Sequence, residues 1–288
     1  MKLFVLILLL ATAFTGLVEQ INNANVGWTA TEYPQFVGKS VEELRSLFGT
    51  TRGPHNYPIK RHELQDLPTN FDPRTQWPGC IHPILDQGQC GSCWAFGASE
   101  ALSDRFCIQE KVNVVLSPQD LVSCDTEDSG CDGGWPEMAW EFMEENGLVT
   151  ASCFPYSSGG GNAPDCISKC KDGSSWTTYH AKDTQGFETI EDIMTELYTN
   201  GPCEAAFDVY QDFINYESGV YKYVNGSFLG GHAIKMLGWG VENGEDYWLC
   251  ANSWGTSWGM KGFFKILKGV DECGIEDDVV AGMAAQID

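Results

Sequence analysis

A cysteine in a glycine-rich turn is the residue of this sequence best suited to nucleophilic chemistry. Cys93 ends the stretch 87–93 (QGQCGSC), and the residues from Trp94 to Gln109 follow a helical pattern of apolar positions. A thiol at a helix N-terminus lies near unpaired N–H groups and the positive end of the helix dipole, which both favour the thiolate. The thiolate is the reactive form, so the sequence predicts a nucleophile at Cys93. The alternative is a half-cystine, since the chain contains 12 cysteines.

A cysteine nucleophile needs a base within hydrogen-bond reach, and the base needs a partner that orients it. Downstream of residue 66 the histidines are His82, His180 and His232. His232 follows two glycines in a strand-like run, which leaves room around the ring and fixes it, whereas we expect solvated loop positions for His82 and His180. Asn252 follows another strand-like run, and its amide is suited to orient an imidazole.

The residues around these positions resemble a known family. Residues 90–94 (CGSCW) are the local signature of the papain and cathepsin cysteine proteases. His232 follows Cys93 by 139 residues (232 − 93), within the interval of roughly 130–150 typical of this family. Asn252 follows Cys93 by 159 residues (252 − 93), which is slightly beyond this interval, and we attribute the excess to loop length. The chain resembles cathepsin B-like members of the papain family over nearly its whole length.

The resemblance implies an α+β fold of the papain type, with a helical left half, an antiparallel β-barrel-like right half, and the active-site cleft between them. The order of the sequence patterns agrees with this expectation. Helical patterns dominate up to residue 200, and short apolar or alternating runs follow. We predict strands at 203–210, 231–238, 247–251 and 262–267.

The resemblance also assigns roles to residues that match the family motifs. It implies catalytic roles for Gln87, Cys93, His232 and Asn252. The Gln87 amide and the Cys93 N–H would form the oxyanion hole that stabilises a tetrahedral intermediate. No metal site and no cofactor is expected.

Four further residues are predicted to bind substrate. Gly133 and Gly134 resemble the cleft wall whose backbone binds an extended peptide, and Trp254 would cover the contact between the base and its orienting amide. Asp278 falls at the floor of the S2 pocket, which holds P2, the second residue before the scissile bond. This position predicts tolerance for Arg at P2; the alternative is a solvated acid in an acidic run.

The resemblance implies four disulfides. It leaves Cys93 free and gives no partner to Cys203, Cys250 and Cys273, of which the first two are expected to be buried thiols. The expected pairs are Cys80–Cys107, Cys90–Cys131, Cys124–Cys166 and Cys153–Cys170.

The chain divides into three predicted segments. Residues 1–16 have a charged start, an apolar run and small residues, the pattern of a secretory signal peptide. Residues 17–66 are either a small subdomain or a removable pro-segment, and the cathepsin-like opening of residues 67–74 favours the pro-segment. Within them we expect a helix over 40–48, capped by Ser40 and Glu43, and a linker over 50–65. The mature peptidase domain would span 67–288.

Charge and compartment limit the partners. The chain has 17 Lys and Arg against 40 Asp and Glu, which argues against nucleic acids and anionic membranes. We expect entry into the secretory pathway, towards a lysosome or vacuole or to secretion, and Asn225 starts a glycosylation sequon. The resemblance implies protein and peptide substrates, inhibition by the chain's own pro-segment, cystatin-type inhibitors and a monomer.

One departure from the cathepsin B pattern bears on the reaction. Members of that type carry two adjacent histidines in a long insertion that half-blocks the cleft, but here only nine residues, 157–165, separate Tyr156 from Cys166. We therefore predict an endopeptidase with little carboxydipeptidase activity. Two other hypotheses are a catalytically silent homologue, against which the intact motifs speak, and a cysteine-rich metal-binding module, whose spacing is wrong for zinc.

Overall fold

The computed structural model describes residues 16–53 and 57–288. Nearly all of the predicted signal peptide therefore lies outside the described residues. The helices are α1 (16–24), α2 (Val41–Arg45), α3 (Pro73–Gln76), α4 (Cys93–Arg105), α5 (Pro118–Cys124), α6 (Pro136–Glu145) and α7 (Ile190–Asn200). The strands are β1 (Trp28–Ala30), β2 (Tyr179–Gly186), β3 (Cys203–Tyr210), β4 (Tyr216–Tyr221), β5 (Phe228–Glu242), β6 (Glu245–Ala251), β7 (Phe263–Leu267) and β8 (Val279–Ile287).

Helix starts follow the capping residues of the sequence. Ser117 accepts a hydrogen bond from the Asp120 N–H at 3.1 Å, and Pro118 takes the first position of α5, where a missing N–H costs nothing. Ser40 and Glu43 form the predicted capping box of α2. The predicted end of this helix near residue 48 is wrong, because α2 ends at Arg45 and the chain turns so that residues 47 and 48 are buried.

Helix α4 is buried along its whole length, from Cys93 to Arg105. It continues into a π-helical turn, Phe106–Glu110, so the helical stretch agrees with the predicted run to Gln109. A helix surrounded by protein on all sides is held in place by packing rather than by one amphipathic face. This element is therefore a rigid support for the cysteine at its start.

The strands form one sheet of eight in the order β1-β4-β7-β6-β5-β3-β8-β2. The pairs are antiparallel except for β4 and β7, where Val220 lies beside Lys265 in a parallel ladder. A parallel pair requires a long connection, which β5 and β6 provide here. The four predicted strands are present, and β1, β2, β4 and β8 were not predicted. The fold is the expected α+β papain-like arrangement, with a mixed rather than purely antiparallel sheet.

In the N-terminal segment, residues 17–66, the stretch 28–33 packs on the β half. Strand β1 extends the sheet edge beside β4, and the Trp28 ring packs 5.1 Å from that of Tyr221. The Tyr33 hydroxyl donates to the carbonyl of Tyr216 at 2.8 Å. These contacts bring the following residues, including α2, to the mouth of the cleft.

The four predicted disulfides are all present, which confirms the pairing. Of the remaining cysteines, Cys93, Cys203 and Cys250 are buried free thiols, and Cys273 is a half-buried one. Among the described residues, no helix has the length and apolar character needed to cross a membrane.

The expectation that His82 and His180 are solvated loop residues is wrong. His180 lies on β2, is 6% exposed, and its Nδ1 is 3.1 Å from the carbonyl oxygen of Glu144. His82 does lie in a loop, but its side chain is only 8% exposed and lies between Asp104, at 2.7 Å, and Asn113, at 2.9 Å. Both rings have hydrogen-bond partners that sequence position alone does not show.

Candidate active site

Cys93 is the first residue of α4, and its side chain is fully buried. Burial by itself raises the pKa of a thiol because it disfavours the charged form. Here the positive charge of His232, together with the hydrogen bond between Thr50 and the sulfur, outweighs burial and lowers the pKa of Cys93 to about 7. A thiol with this pKa is substantially ionised near neutral pH, which is the condition for nucleophilic chemistry.

His232 and Asn252 form a hydrogen-bonded pair on neighbouring strands. His232 lies on β5, and its Nε2 is 2.8 Å from Asn252 Oδ1, which also accepts from the Ser253 N–H at 2.8 Å. The amide oxygen can only accept, so His232 Nε2 carries the proton in this contact. The other ring nitrogen, Nδ1, is buried and has no hydrogen-bond partner among the described residues, so it is available to the cysteine.

Aromatic rings enclose the histidine. The Trp254 ring centroid lies 5.0 Å from that of His232 with the planes inclined by 33°, and the Phe48 ring meets the imidazole edge-on at 5.5 Å. His232 and Trp254 are both buried. Rings that exclude water strengthen the hydrogen bond between His232 and Asn252, because the local dielectric constant is low.

Gln87 points its amide group into the same site. Its side chain is fully buried; Nε2 donates to the carbonyl of Leu47 at 2.9 Å and to that of Cys90 at 2.8 Å, and Oε1 accepts from the Ser253 hydroxyl at 2.6 Å. The Ser253 contact fixes the orientation of the amide. The N–H groups therefore face a carbonyl of the N-terminal segment, which lies where an incoming peptide carbonyl could be bound.

The N-terminal segment crosses the cleft directly above the thiol. Thr50 Oγ1 is 3.0 Å from Cys93 Sγ, and the Thr50 N–H donates to the carbonyl of Gly231 at 3.1 Å. On the opposite wall the Gly134 N–H donates to the carbonyl of Gly49 at 2.8 Å. A side chain at residue 49 would lie 1.8 Å from the Gly91 carbonyl oxygen, so only glycine allows this approach.

The predicted substrate-binding positions line this cleft. Gly134 holds the segment on both sides, since its carbonyl also accepts from the Thr51 N–H at 2.9 Å, and a Cβ on Gly133 would meet the Gly49 carbonyl oxygen. Asp278 is 2% exposed and its Oδ2 lies 4.0 Å from Arg52 Nε of the N-terminal segment, so it is not a solvated acid.

Three contributors to the site were not among the predicted residues. Thr50 and Arg52 lie in the predicted linker over 50–65; the resemblance of residues 47–50 to the short cathepsin B-type pro-region is the sequence signal that points to Thr50. Tyr156 bridges Ser92 at 2.8 Å and the Gln87 carbonyl at 2.9 Å. It comes from the far side of a disulfide loop, a contact without a local sequence signal.

The family comparison agrees with this geometry. The model of papain family cysteine proteases matches residues 67–283. The chain belongs to the papain family. A papain-family enzyme needs a cysteine, an oriented histidine and oxyanion donors, and this cleft contains all three side-chain types. Among the described residues, no group of three or more metal-ligating side chains is placed to hold a metal ion.

Relatives place this papain-family chain in the cathepsin B-like branch. It is 41% identical to cathepsin B-like protease 1 of Arabidopsis thaliana, over 94% of this chain and 83% of the relative. It is 40% identical to cathepsin B-like cysteine proteinase 5 of Caenorhabditis elegans, over 95% and 91% respectively. The solved structure of procathepsin B S9 from Trypanosoma congolense superposes with a TM-score of 0.88 at 35% identity, covering 93% of this chain and 97% of that one.

Proposed function

We propose that the chain is the zymogen of a cysteine endopeptidase that hydrolyses peptide bonds through Cys93 and His232. The observation that carries the proposal is a buried thiol whose pKa is lowered to about 7 by His232, in a cleft already filled by an extended peptide segment. A buried thiol with only a structural role would instead have a raised pKa. Cys203 is an example, because burial raises its pKa to about 12.

The proposed reaction gives each polar group of the site a role. The Cys93 thiolate attacks the scissile carbonyl carbon, and the negative oxygen is held by the Gln87 amide and the Cys93 N–H. His232 protonates the leaving amine and then takes a proton from the water that hydrolyses the thioester. Asn252 keeps the imidazole in the productive orientation.

In this proposal residues 17–66 are the inhibitory pro-segment. Thr50 covers the sulfur, and the backbone of residues 49–51 occupies both walls of the cleft, which supports a latent full-length chain. Residues 1–16 are a signal peptide, cleavage near Leu67 releases the peptidase domain, and the enzyme acts in a lysosome or vacuole or after secretion. Its partners are peptide and protein substrates and cystatin-type inhibitors, and it works as a monomer.

The short loop at 157–165 supports endopeptidase activity. Its backbone lies against the enzyme body: the Gln89 N–H donates to the Gly159 carbonyl at 2.8 Å, and the Ser157 N–H donates to Gln119 Oε1 at 2.7 Å. Two disulfides, Cys124–Cys166 and Cys153–Cys170, hold the loop ends. We infer that a loop held in this way leaves the leaving-group side of the cleft accessible to a long chain once the N-terminal segment is removed.

The carboxydipeptidase question is decided with two peptides of one sequence, one with a free C-terminus and one amidated. The processed enzyme is expected to cut both internally at similar rates, because no group is proposed to bind a terminal carboxylate. The endopeptidase assignment would be contradicted if dipeptides were released one after another from the free-acid peptide at a higher rate than the amidated peptide is cut internally.

The proposed catalytic role is tested by alkylation at mildly acidic pH. One thiol of the processed enzyme is expected to react stoichiometrically and fast, together with complete loss of peptidase activity. Cys93→Ala should lose both, and Cys273→Ala, the matched control at the half-buried free thiol, should retain both. Fast alkylation without peptidase activity would favour a peptide-binding homologue, and no fast thiol would contradict both assignments.

A further inference from the structure

Arg52 of the N-terminal segment places its guanidinium group in the pocket beside Asp278. Its Nη1 lies 3.1 Å from Asp208 Oδ1, Nη2 donates to the Gly274 carbonyl at 2.7 Å, and Nε lies 4.0 Å from Asp278 Oδ2. The Arg52 side chain is only 21% exposed. A cation withdrawn from water to this degree needs acceptors and counter-charges, and this pocket supplies both.

Asp208 enters this pocket through the register of the sheet. It lies on β3 opposite Gly231 of β5, next to the pair formed by Phe207 and His232. Side chains alternate along a strand, so Asp208 shares a face with Ala206, whose N–H donates to the Asp278 carbonyl at 2.9 Å. With side-chain exposures of 39% and 2%, Asp208 forms the rim of the pocket and Asp278 its floor.

Besides the Tyr57 hydroxyl, which donates to Asp278 Oδ1 at 3.4 Å, glycine backbone surrounds Arg52. A Cβ on Gly274 would lie 2.5 Å from Arg52 Nη1, so the guanidinium packs flat against the glycine backbone. The aliphatic part of Arg52 passes over Gly231, with Cγ 3.6 Å from the position that a Cβ would take there. The pocket therefore fits a long side chain that ends in a planar cation.

We propose that Asp208 is a specificity-determining residue, which forms with Asp278 a two-carboxylate subsite for an arginine side chain of peptide substrates. Arg52 occupies this subsite as an internal ligand in the unprocessed chain. The inference rests on the proposed peptidase function and deepens it, because it adds a second acid to the one at the pocket floor. Arginine is preferred over lysine, since a planar fork can reach Asp208, Asp278 and the Gly274 carbonyl together.

The test compares two fluorogenic peptides that differ only in Arg or Phe at P2. The full chain is expressed, processed, and titrated with an irreversible thiol alkylator, so that each kcat/KM refers to active enzyme. Asp208→Asn is expected to lower the ratio of kcat/KM for P2-Arg over P2-Phe by about tenfold, as for loss of a charge-assisted hydrogen bond. Asp208→Glu is expected to restore most of the ratio.

Asp277→Asn is the matched control, because Asp277 is an exposed acid next to Asp278 and should leave the ratio unchanged. An unchanged ratio in Asp208→Asn, with a lowered ratio in Asp278→Asn, would overturn the role of Asp208 while leaving the peptidase assignment intact. An equal fall of the ratio in Asp277→Asn would also overturn the role of Asp208, because the ratio would then respond to net charge in general. Failure of the processed parent enzyme to cleave either peptide would overturn the proposed function itself.

Discussion

At the scale of single residues, the site depends on a balance between burial and charge at Cys93. The sulfur is fully buried, which disfavours the thiolate, and His232 compensates for this penalty. Asn252 and Trp254 act on the ring rather than on the sulfur, by fixing its tautomer and keeping water away from it. The reactivity of the cysteine is therefore a property of the pair and not of the thiol alone.

Gln87→Ala is expected to lower kcat of the processed enzyme by about 100- to 1000-fold, because one oxyanion donor is lost. Since Gln87 is buried and also bonds Ser253, the fold must be checked independently, and the rate of Cys93 alkylation provides this check. Gln89→Ala is the matched control at an exposed glutamine two residues away. A rise in KM with kcat unchanged would contradict an oxyanion role for Gln87.

At the scale of elements, a buried ion cluster joins the helix that carries Cys93 to the strand that carries His232. Lys235 of β5 donates to Asp104 Oδ2 of α4 at 2.7 Å and lies 3.4 Å from Glu100 Oε2. Burial would lower the pKa of Lys235, but the charges of Asp104 and Glu100 raise it above its ordinary value. The cluster fixes α4 against β5, and with it the distance between nucleophile and base.

Lys235→Met is expected to lower the free energy of unfolding by about 3–5 kcal/mol, because it removes the cation that two buried carboxylates, Asp104 and Glu100, share. Urea unfolding of the full chain measures the change. Lys265→Met is the control, since Lys265 pairs with the partly exposed Glu242 and should cost less than about 1 kcal/mol. Equal losses of unfolding free energy in the two variants would show that the buried cluster stabilises the fold no more than a partly exposed ion pair does.

At the scale of the whole molecule, several buried acids favour the protonated form. Burial raises the pKa of Asp120 to about 6 and that of Glu100 to about 7. Burial and the nearby Asp125 raise the pKa of Asp128 to about 8. In contrast, Arg105 outweighs burial at Glu196 and lowers its pKa to about 2, so that carboxylate stays ionised in acid. A net charge of −23 adds self-repulsion as the pH rises.

These shifts predict that the protein is more stable at pH 5 than at pH 8. A carboxyl group whose pKa is raised by folding stabilises fully below its unfolded pKa of about 4, and this stabilisation is lost as the pH rises through 6–8. The midpoint of thermal unfolding is expected to fall by about 5 °C or more between pH 5 and pH 8. Asp128→Asn should reduce this fall; a parent protein that is more stable at pH 8 would contradict the interpretation.

The contacts between the N-terminal segment and the cleft join parts of the chain that are far apart in sequence. Strand β1 pairs with β4, Thr50 lies on Cys93, and Arg52 lies between Asp208 and Asp278. A segment with so little regular structure of its own obtains its conformation from the cleft that it fills.

Much of this protein follows from local sequence. Capping residues determined where α2 and α5 begin, and a short apolar run predicted β3. The motif around Cys93 predicted the family, and the family resemblance implied the four disulfide pairs. These features depend on neighbours within a few residues, or on a spacing that the family resemblance supplied, so they could be read without coordinates.

Only the tertiary structure decided the rest. The early end of α2, the burial of His180, the parallel pairing of β4 with β7 and the placing of Asp208 beside Arg52 all depend on residues far apart in the chain. The physical reason is that burial and charge pairing are set by what packs against a residue, and a register across strands brings together groups that no local pattern connects.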